Sequence, residues 1–186
     1  RYRHRARLSV REVAKKGTVL VGFHEKRSSF IADMKSCEIL PKRVSDLLVP
    51  LRELINSLSL RKKLPQIELA VTDEALALVL RVLEKPTADD EAKLRQFQKD
   101  YGVDFWYQPK GPDSIYPMDP ENAARLKLHH RETGVEVVFR PTDFTQVNHR
   151  LNEVMVTRAL RLLHLEPSSK VIDFFCGLGN FTLPLA

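Results

Sequence analysis

The sequence predicts an α+β domain over residues 1 to 138 that leads into the opening of a doubly wound α/β domain over residues 139 to 186. Three observations carry that reading. Short apolar runs separated by turn residues fill the first hundred positions, with two helical stretches among them. A helical stripe then lies just upstream of a strand-like run. That run, Lys170-Val171-Ile172-Asp173-Phe174-Phe175-Cys176-Gly177-Leu178-Gly179-Asn180-Phe181, meets two glycines and turns apolar again, the pattern of a buried parallel strand, a tight loop and a helix start.

From the first residue, Arg1-Tyr2-Arg3-His4-Arg5-Ala6-Arg7 alternates strictly, so strand geometry puts Arg1, Arg3, Arg5 and Arg7 on one face and Tyr2, His4, Ala6 and Leu8 on the other. A row of guanidiniums at that spacing suits a phosphate backbone, and it equally suits a solvated edge strand that discourages aggregation. Lys15-Lys16-Gly17 reads as the turn into residues 18 to 23, completing a hairpin. Phe30-Ile31-Ala32 reads as a short strand. Val44, Leu47, Leu48, Leu51, Leu54, Ile55 and Leu58 recur at helical spacing, with Pro50 predicting a kink or two short helices. Residues 66 to 72 and 76 to 83 are β-like around an Asp73-Glu74 turn. Thr87 caps a helix that opens on acids, turns Leu94 and Phe97 inward and closes at Gly102, before a strand over 103 to 107.

Five residues, Pro109, Gly111, Pro112, Pro117 and Pro120, make 109 to 121 a long, stiff loop. Residues 126 to 130 and 135 to 139 flank Thr133-Gly134 as a hairpin; His129 and His130 point to opposite faces of it, a poor joint metal site. Leu151, Val154, Met155, Ala159, Leu162 and Leu163 form one helical stripe, with Arg150, Glu153, Arg158 and Arg161 away from it. Pro167 stops that helix. Pro184 is tolerated only in a first turn, so the last helix begins close to Asn180.

The composition is that of a globular protein, 186 residues with 43% hydrophobic and 29% charged, enough for one to two domains. Its charge is uneven. Residues 1 to 63 carry 16 Lys and Arg against 6 Asp and Glu, a net of +10, while the remainder carries 14 against 18, a net of −4. The basic half is where a polyanion would sit, although solubility alone also explains a basic face. Two cysteines, Cys37 and Cys176, are too few for a disulfide framework and fit a reducing compartment. No apolar run approaches the roughly 18 residues of a membrane span, and nothing resembles a signal peptide, so the expected location is cytoplasmic. Starting at Arg1 and stopping at Ala186, the chain reads as a segment of a longer protein.

Gly177 and Gly179 permit backbone conformations and ligand approach that a side chain would block, and Asp173 stands near the end of the expected strand. The position three residues after Gly179 is Thr182, so the dinucleotide fingerprint lacks its third glycine. That argues against a pyrophosphate ligand, and hence against a nucleotide-dependent oxidoreductase, and leaves room for a nucleoside cofactor without phosphates, such as S-adenosylmethionine.

Upstream stands Phe139-Arg140-Pro141-Thr142-Asp143-Phe144-Thr145-Gln146-Val147-Asn148. Paired with Asp173-Phe174-Phe175-Cys176-Gly177-Leu178-Gly179-Asn180-Phe181-Thr182, it resembles the RNA uracil-5-methyltransferase family, within it the iron-sulfur branch that acts on large-subunit ribosomal RNA. The resemblance covers nearly the whole chain. It implies a central RNA-binding domain followed by a Rossmann-like methyltransferase domain, with Gln146, Phe175 and Asn180 at the S-adenosylmethionine site, and Asp173, Gly177 and Gly179 shaping the same loop. The plain alternatives are that Gln146 caps the following helix and Phe175 is core. Arg3, Arg5 and Arg7 resemble the family's Tyr-Arg-x-Arg-x-Arg segment and are expected on RNA. Phe144 is expected to stack near the flipped uracil or to be core.

By itself Cys37 is most simply a small buried hydrophobe. The phrase around it resembles the place where the family carries the fourth ligand of a [4Fe-4S] cluster, the first three lying in a cysteine cluster further upstream. The family's chemistry adds a cysteine thiolate to carbon 6 of uracil, activates carbon 5 toward the cofactor's methyl group, then removes the carbon 5 proton and releases the thiolate, on a base taken out of its stack. Cys176 lies in the cofactor loop and is not that nucleophile, which in the family comes from later strands. No catalytic residue is therefore expected in this segment, which alone is expected to be inert. The intact protein is expected to act on ribosomal RNA as a monomer. A transfer RNA uracil-5 enzyme and a non-catalytic RNA-binding module are the rival readings.

Overall fold

In the computed structural model, which describes residues 1 to 121, 123 and 125 to 186, β1 (Arg5–Val13) turns Ala6, Leu8 and Val10 into a core and Arg5, Arg7 and Arg11 to the reverse side. Gly17, left-handed at φ 63°, closes the 3-10 turn Ala14–Lys16, and β2 (Thr18–Gly22) returns antiparallel with Val21 opposite Val10. The strand expected at Phe30-Ile31-Ala32 reduces to one bridge between His24 and Ile31, because Phe30 points to solvent and has no sheet face to cover.

The next element, α1 (Lys42–Ser57), is a single helix through Pro50, neither split nor divided as expected. Val44, Leu47, Leu48, Leu51 and Ile55 are all buried on one side of it, and that burial outweighs the one backbone hydrogen bond that proline removes. β3 (Gln66–Val71) and β4 (Leu76–Arg81) pair antiparallel, with Leu69 opposite Leu78. α2 (Ala88–Tyr101) then crosses over to β5 (Asp104–Gln108), which runs parallel to β4. Its start is a reciprocal cap: Thr87 Oγ1 accepts the Asp90 N–H at 3.2 Å, and the Asp90 carboxylate accepts the Thr87 N–H at 3.2 Å. Gly102, at φ 60°, ends it. Residues 109 to 121 are not wholly irregular; they hold a 3-10 turn, Pro112–Ser114, and β6 (Tyr116–Pro117), which sets Tyr116 against Tyr107. The sheet order is β2-β1-β3-β4-β5-β6.

On the reverse side of that sheet lies a hairpin of β7 (Leu126–His130) and β8 (Val135–Phe139), turned by left-handed Gly134. Leu126, Leu128, Val137 and Phe139 pack on Ala70, Ala75 and Ala77, whose small side chains let the hairpin sit close. The boundary expected between residues 138 and 139 falls within β8. Asn148 caps α3 (His149–Leu163), its Oδ1 accepting the Leu151 N–H at 3.1 Å.

Two expectations fail past this point. The apolar stripe of α3 is not packed: Leu151, Val154, Met155, Leu162 and Leu163 are exposed, and the buried positions are Asn152 and Val156. Residues 170 to 174 form no strand, and Ile172 is 78% exposed. A parallel strand needs a neighbour to take its backbone hydrogen bonds, and among the described residues none adjoins this segment. α4 (Thr182–Leu185) closes the described chain with Pro184 inside its single turn. The observed fold is thus mixed α/β, and among the described residues no helix is long and apolar enough to cross a membrane.

Candidate cofactor cleft

The segment between β8 and α3 is held by the start of the chain. The Arg5 guanidinium donates to the carbonyls of Asp143 and Pro141, the latter at 3.2 Å, and the His4 N–H donates to the Val147 carbonyl at 2.7 Å. Asp143 in turn accepts the Arg140 backbone N–H at 2.7 Å and two of its guanidinium contacts at 3.1 and 3.0 Å. Burial lowers the Arg5 pKa, and Glu68 and Asp143 oppose that. Arg5 therefore acts here as a staple between β1 and the stretch carrying Gln146. Arg7 pairs with Glu68 at 2.6 Å and keeps a side chain 67% exposed, while the Arg3 Nε is buried with no partner.

Across from this stretch, the glycine loop folds back through three left-handed residues, Phe175 at φ 62°, Gly177 at 57° and Gly179 at 85°. Phe175 is the costly one, since a Cβ disfavours that region, and such strain concentrates at binding sites. A Cβ on Gly179 would come within 2.8 Å of the Leu183 side chain, so glycine is what lets α4 follow the loop so closely. The loop is tied to α3 by a reciprocal amide pair: Asn152 Nδ2 donates to Asn180 Oδ1 at 2.7 Å and Asn180 Nδ2 donates to Asn152 Oδ1 at 2.9 Å.

The two stretches enclose a cleft of about 320 Å³ in which Phe144, Gln146, Phe175, Gly177 and Asn180 come together. Leu128, Val137, Leu178 and Phe181 supply its apolar wall. Its size and mostly apolar lining with a few convergent polar groups are those of a small-molecule site. Asp173 is outside it; its carboxylate accepts the Thr182 hydroxyl at 2.6 Å at the start of α4. Gly179 shapes the loop from behind. The plain alternatives for three residues fall away, because Asn148 and not Gln146 caps α3, Phe144 is 78% exposed, and Phe175 is fully exposed.

Sequence reasoning missed two residues. Thr145 lines the cleft with a buried Oγ1 that has no hydrogen-bond partner among the described residues. Asn152 is buried on a helix whose apolar stripe faces away, and its one signal is a polar residue four positions after the cap. Cys37 lies half-buried against the main core, with its N–H donating to Ser45 Oγ at 2.8 Å. Cys176 is exposed, and among the described residues no group of three or more His, Cys, Asp or Glu is placed to hold a metal.

All 186 positions match the family model described as tRNA (Uracil-5-)-methyltransferase. The chain belongs to this family. Among its relatives are the 23S rRNA (uracil(1939)-C(5))-methyltransferases RlmD of Cupriavidus necator, 59% identical over 185 residues, and of Burkholderia lata, 60% identical over 185 residues. That of Ralstonia pickettii is 57% identical. Each match covers 100% of this chain and 42%, 40% and 41% of the respective relative, so the chain spans about two fifths of their length. The fold is similar to that of the Pyrococcus abyssi tRNA (uracil-54, C5)-methyltransferase in complex with S-adenosyl-L-homocysteine, with a TM-score of 0.70 at 18% identity over 100% of this chain and 46% of that one.

Proposed function

We propose that the intact protein transfers a methyl group from S-adenosylmethionine to carbon 5 of a uridine in large-subunit ribosomal RNA, and that these residues supply part of its cofactor and RNA sites. The observation that carries the reading is the cleft that brings the Gln146 stretch and the glycine loop together, in a chain whose relatives at 57–60% identity are named for that reaction. Those names favour ribosomal over transfer RNA.

The residues present fit the cofactor. The unpartnered Thr145 Oγ1 and the exposed Gln146 offer hydrogen bonds, Phe144 and Phe175 offer faces for an adenine ring, and the open space over Gly177 admits a ligand. When bound, the cofactor supplies the electrophilic methyl. This chain's own part is to hold and orient it: Asn180 is set by Asn152, and Arg5 and Asp143 fix the backbone that leads to Gln146. Asp173 and Gly179 act by shaping the loop. No nucleophile or base is assigned among these residues.

In this reading residues 1 to 138 form the central RNA-binding domain and residues 139 to 186 open a Rossmann-like methyltransferase domain. The exposed stripe of α3 and the unpaired residues 170 to 174 support that, since both are surfaces that further sheet and helix would cover. Arg3, Arg5, Arg7 and Phe144 border one shallow groove and are proposed to meet RNA, with Arg7 the most open of the arginines. A single thiol does not make a four-iron site, so the residues present do not fit a [4Fe-4S] cluster by themselves. Cys37 is proposed as one ligand only if three thiolates come from elsewhere in the protein. A ribosomal RNA substrate implies the cytoplasm.

The test is methyl incorporation by the intact polypeptide carrying these residues, with labelled S-adenosylmethionine and separate 23S ribosomal and transfer RNA transcripts. Label at uridine carbon 5 of the ribosomal transcript is expected, with Gln146→Ala weakening cofactor binding at least tenfold. Label on transfer RNA alone would replace this reading with its rival.

A further inference from the structure

A second cleft, of about 370 Å³, adjoins the first. Leu128 lines both, and the Asn152–Asn180 pair joins their walls. It lies where the start of the chain, the β3–β4 turn, β7 and the first turn of α3 converge, and it plays no part in the cofactor site.

Two features of its lining lack counterparts. His130 is 4% exposed, and its Nε2 has no hydrogen-bond partner; the Nε2 of His149, whose ring stacks on His4 at 4.4 Å, is likewise buried and unpartnered. A buried imidazole nitrogen left unpaired costs about 1–3 kcal/mol, so two of them in one cleft point to a ligand that satisfies both. The charge says which kind. The cleft's two carboxylates are both engaged by Arg131, Glu153 Oε1 accepting its backbone N–H at 3.0 Å and Asp73 Oδ2 standing 3.6 Å from its guanidinium. Arg150, on the rim, has no ion-pair partner among the described residues. His149 and Arg150 are the first residues of the 15-residue α3, so the helix's positive end also faces this cleft. No group of three or more metal-ligating side chains occurs among the described residues, and the lining carries five Lys and Arg against those two acids.

We propose that this cleft binds a phosphodiester group of the RNA substrate, with the Nε2–H groups of His130 and His149 donating to its oxygens and Arg150 balancing its charge. The assignment rests on the RNA-modifying reading above and deepens it: the RNA strand would be held beside the cofactor cleft by a contact that the amide pair connects to the cofactor loop. The imidazoles serve as neutral donors, one N–H each, so the site works without protonating either ring. Such a contact positions the strand and carries no base information.

The test uses the intact polypeptide, with RNA binding measured across a salt series for the wild type, Arg150→Gln and His149→Gln. Each variant is expected to weaken RNA binding five- to tenfold, and Arg150→Gln to lower the slope of log K against log salt by about 1. Affinity for S-adenosylmethionine should be unchanged in Arg150→Gln. Unchanged RNA affinity and slope in both variants would overturn the assignment, even with methyl transfer intact. A wild type that transfers no methyl, yet shows the slope change, would instead sink the catalytic reading and leave the phosphate contact standing. Imidazole nitrogen shifts of His130 and His149 separate the sources: movement with a short oligoribonucleotide supports the phosphodiester, whereas movement with inorganic phosphate alone overturns it.

Discussion

Replacing Asn152 with alanine removes one half of the amide pair that ties the glycine loop to α3. The two bonds, at 2.7 and 2.9 Å, are neutral and shielded, with Asn152 only 5% exposed, so each contributes about 1 kcal/mol net and the pair about 2. Truncating one partner also leaves the other amide unpaired, which adds about 1 kcal/mol, so Asn152→Ala and Asn180→Ala are each expected to cost about 3 kcal/mol. Because both remove the same two bonds, the double variant should cost little more than either single one, a coupling of about 2 kcal/mol in a double-mutant cycle. The assay is urea unfolding of the four intact proteins, alongside binding of S-adenosylmethionine. Asn152 does not line the cofactor cleft, yet its removal frees the loop that does, and a roughly tenfold loss of cofactor affinity is expected. Additive single costs, with coupling under about 0.5 kcal/mol, would refute the pairing and with it the positioning role of Asn152.

Two further expectations concern charge. The buried Asp90 carboxylate accepts from the Ser59 N–H and hydroxyl at 2.7 and 2.6 Å and from the Thr87 N–H; burial pushes its pKa up, but these bonds together hold it below the ordinary value. Asp90→Ala should therefore destabilise by about 3 kcal/mol, and the wild type should lose this stability as pH falls through the depressed folded pKa while Asp90→Asn shows no such loss, read from urea midpoints against pH. His149 has its pKa pushed down to about 4 by burial, with the neighbouring His4 and Arg5 adding to the shift and Asp73 opposing it. Its neutral form thus contributes stability that is present above the unfolded value near 6.5 and lost toward pH 4, about 2 kcal/mol after allowance for partial solvent access, and His149→Gln should flatten that part of the pH profile.

Local signals were enough for much of this protein. Gly17, Thr87 with Asp90, Gly102 and Gly134 act within a few residues of themselves, so the hairpins and α2 follow from the sequence alone, and the two motifs that carry the family likeness are contiguous words. What the sequence could not supply depends on partners far along the chain. The parallel pairing of β4 with β5 is settled by which strands find each other's backbone groups, and the role of Arg5 by the carbonyls that happen to face it 136 and 138 residues later. Alternation placed Arg3, Arg5 and Arg7 on one face but could not say that Glu68 and the Pro141 and Asp143 carbonyls occupy that face too. The same limit explains residues 170 to 174, whose apolar pattern reads as a strand although a strand exists only where another is present to pair with it. The Asn152–Asn180 pair and the two unpartnered imidazoles are of this kind: hydrogen bonding and burial are properties of an environment, and only the tertiary structure assembles the environment.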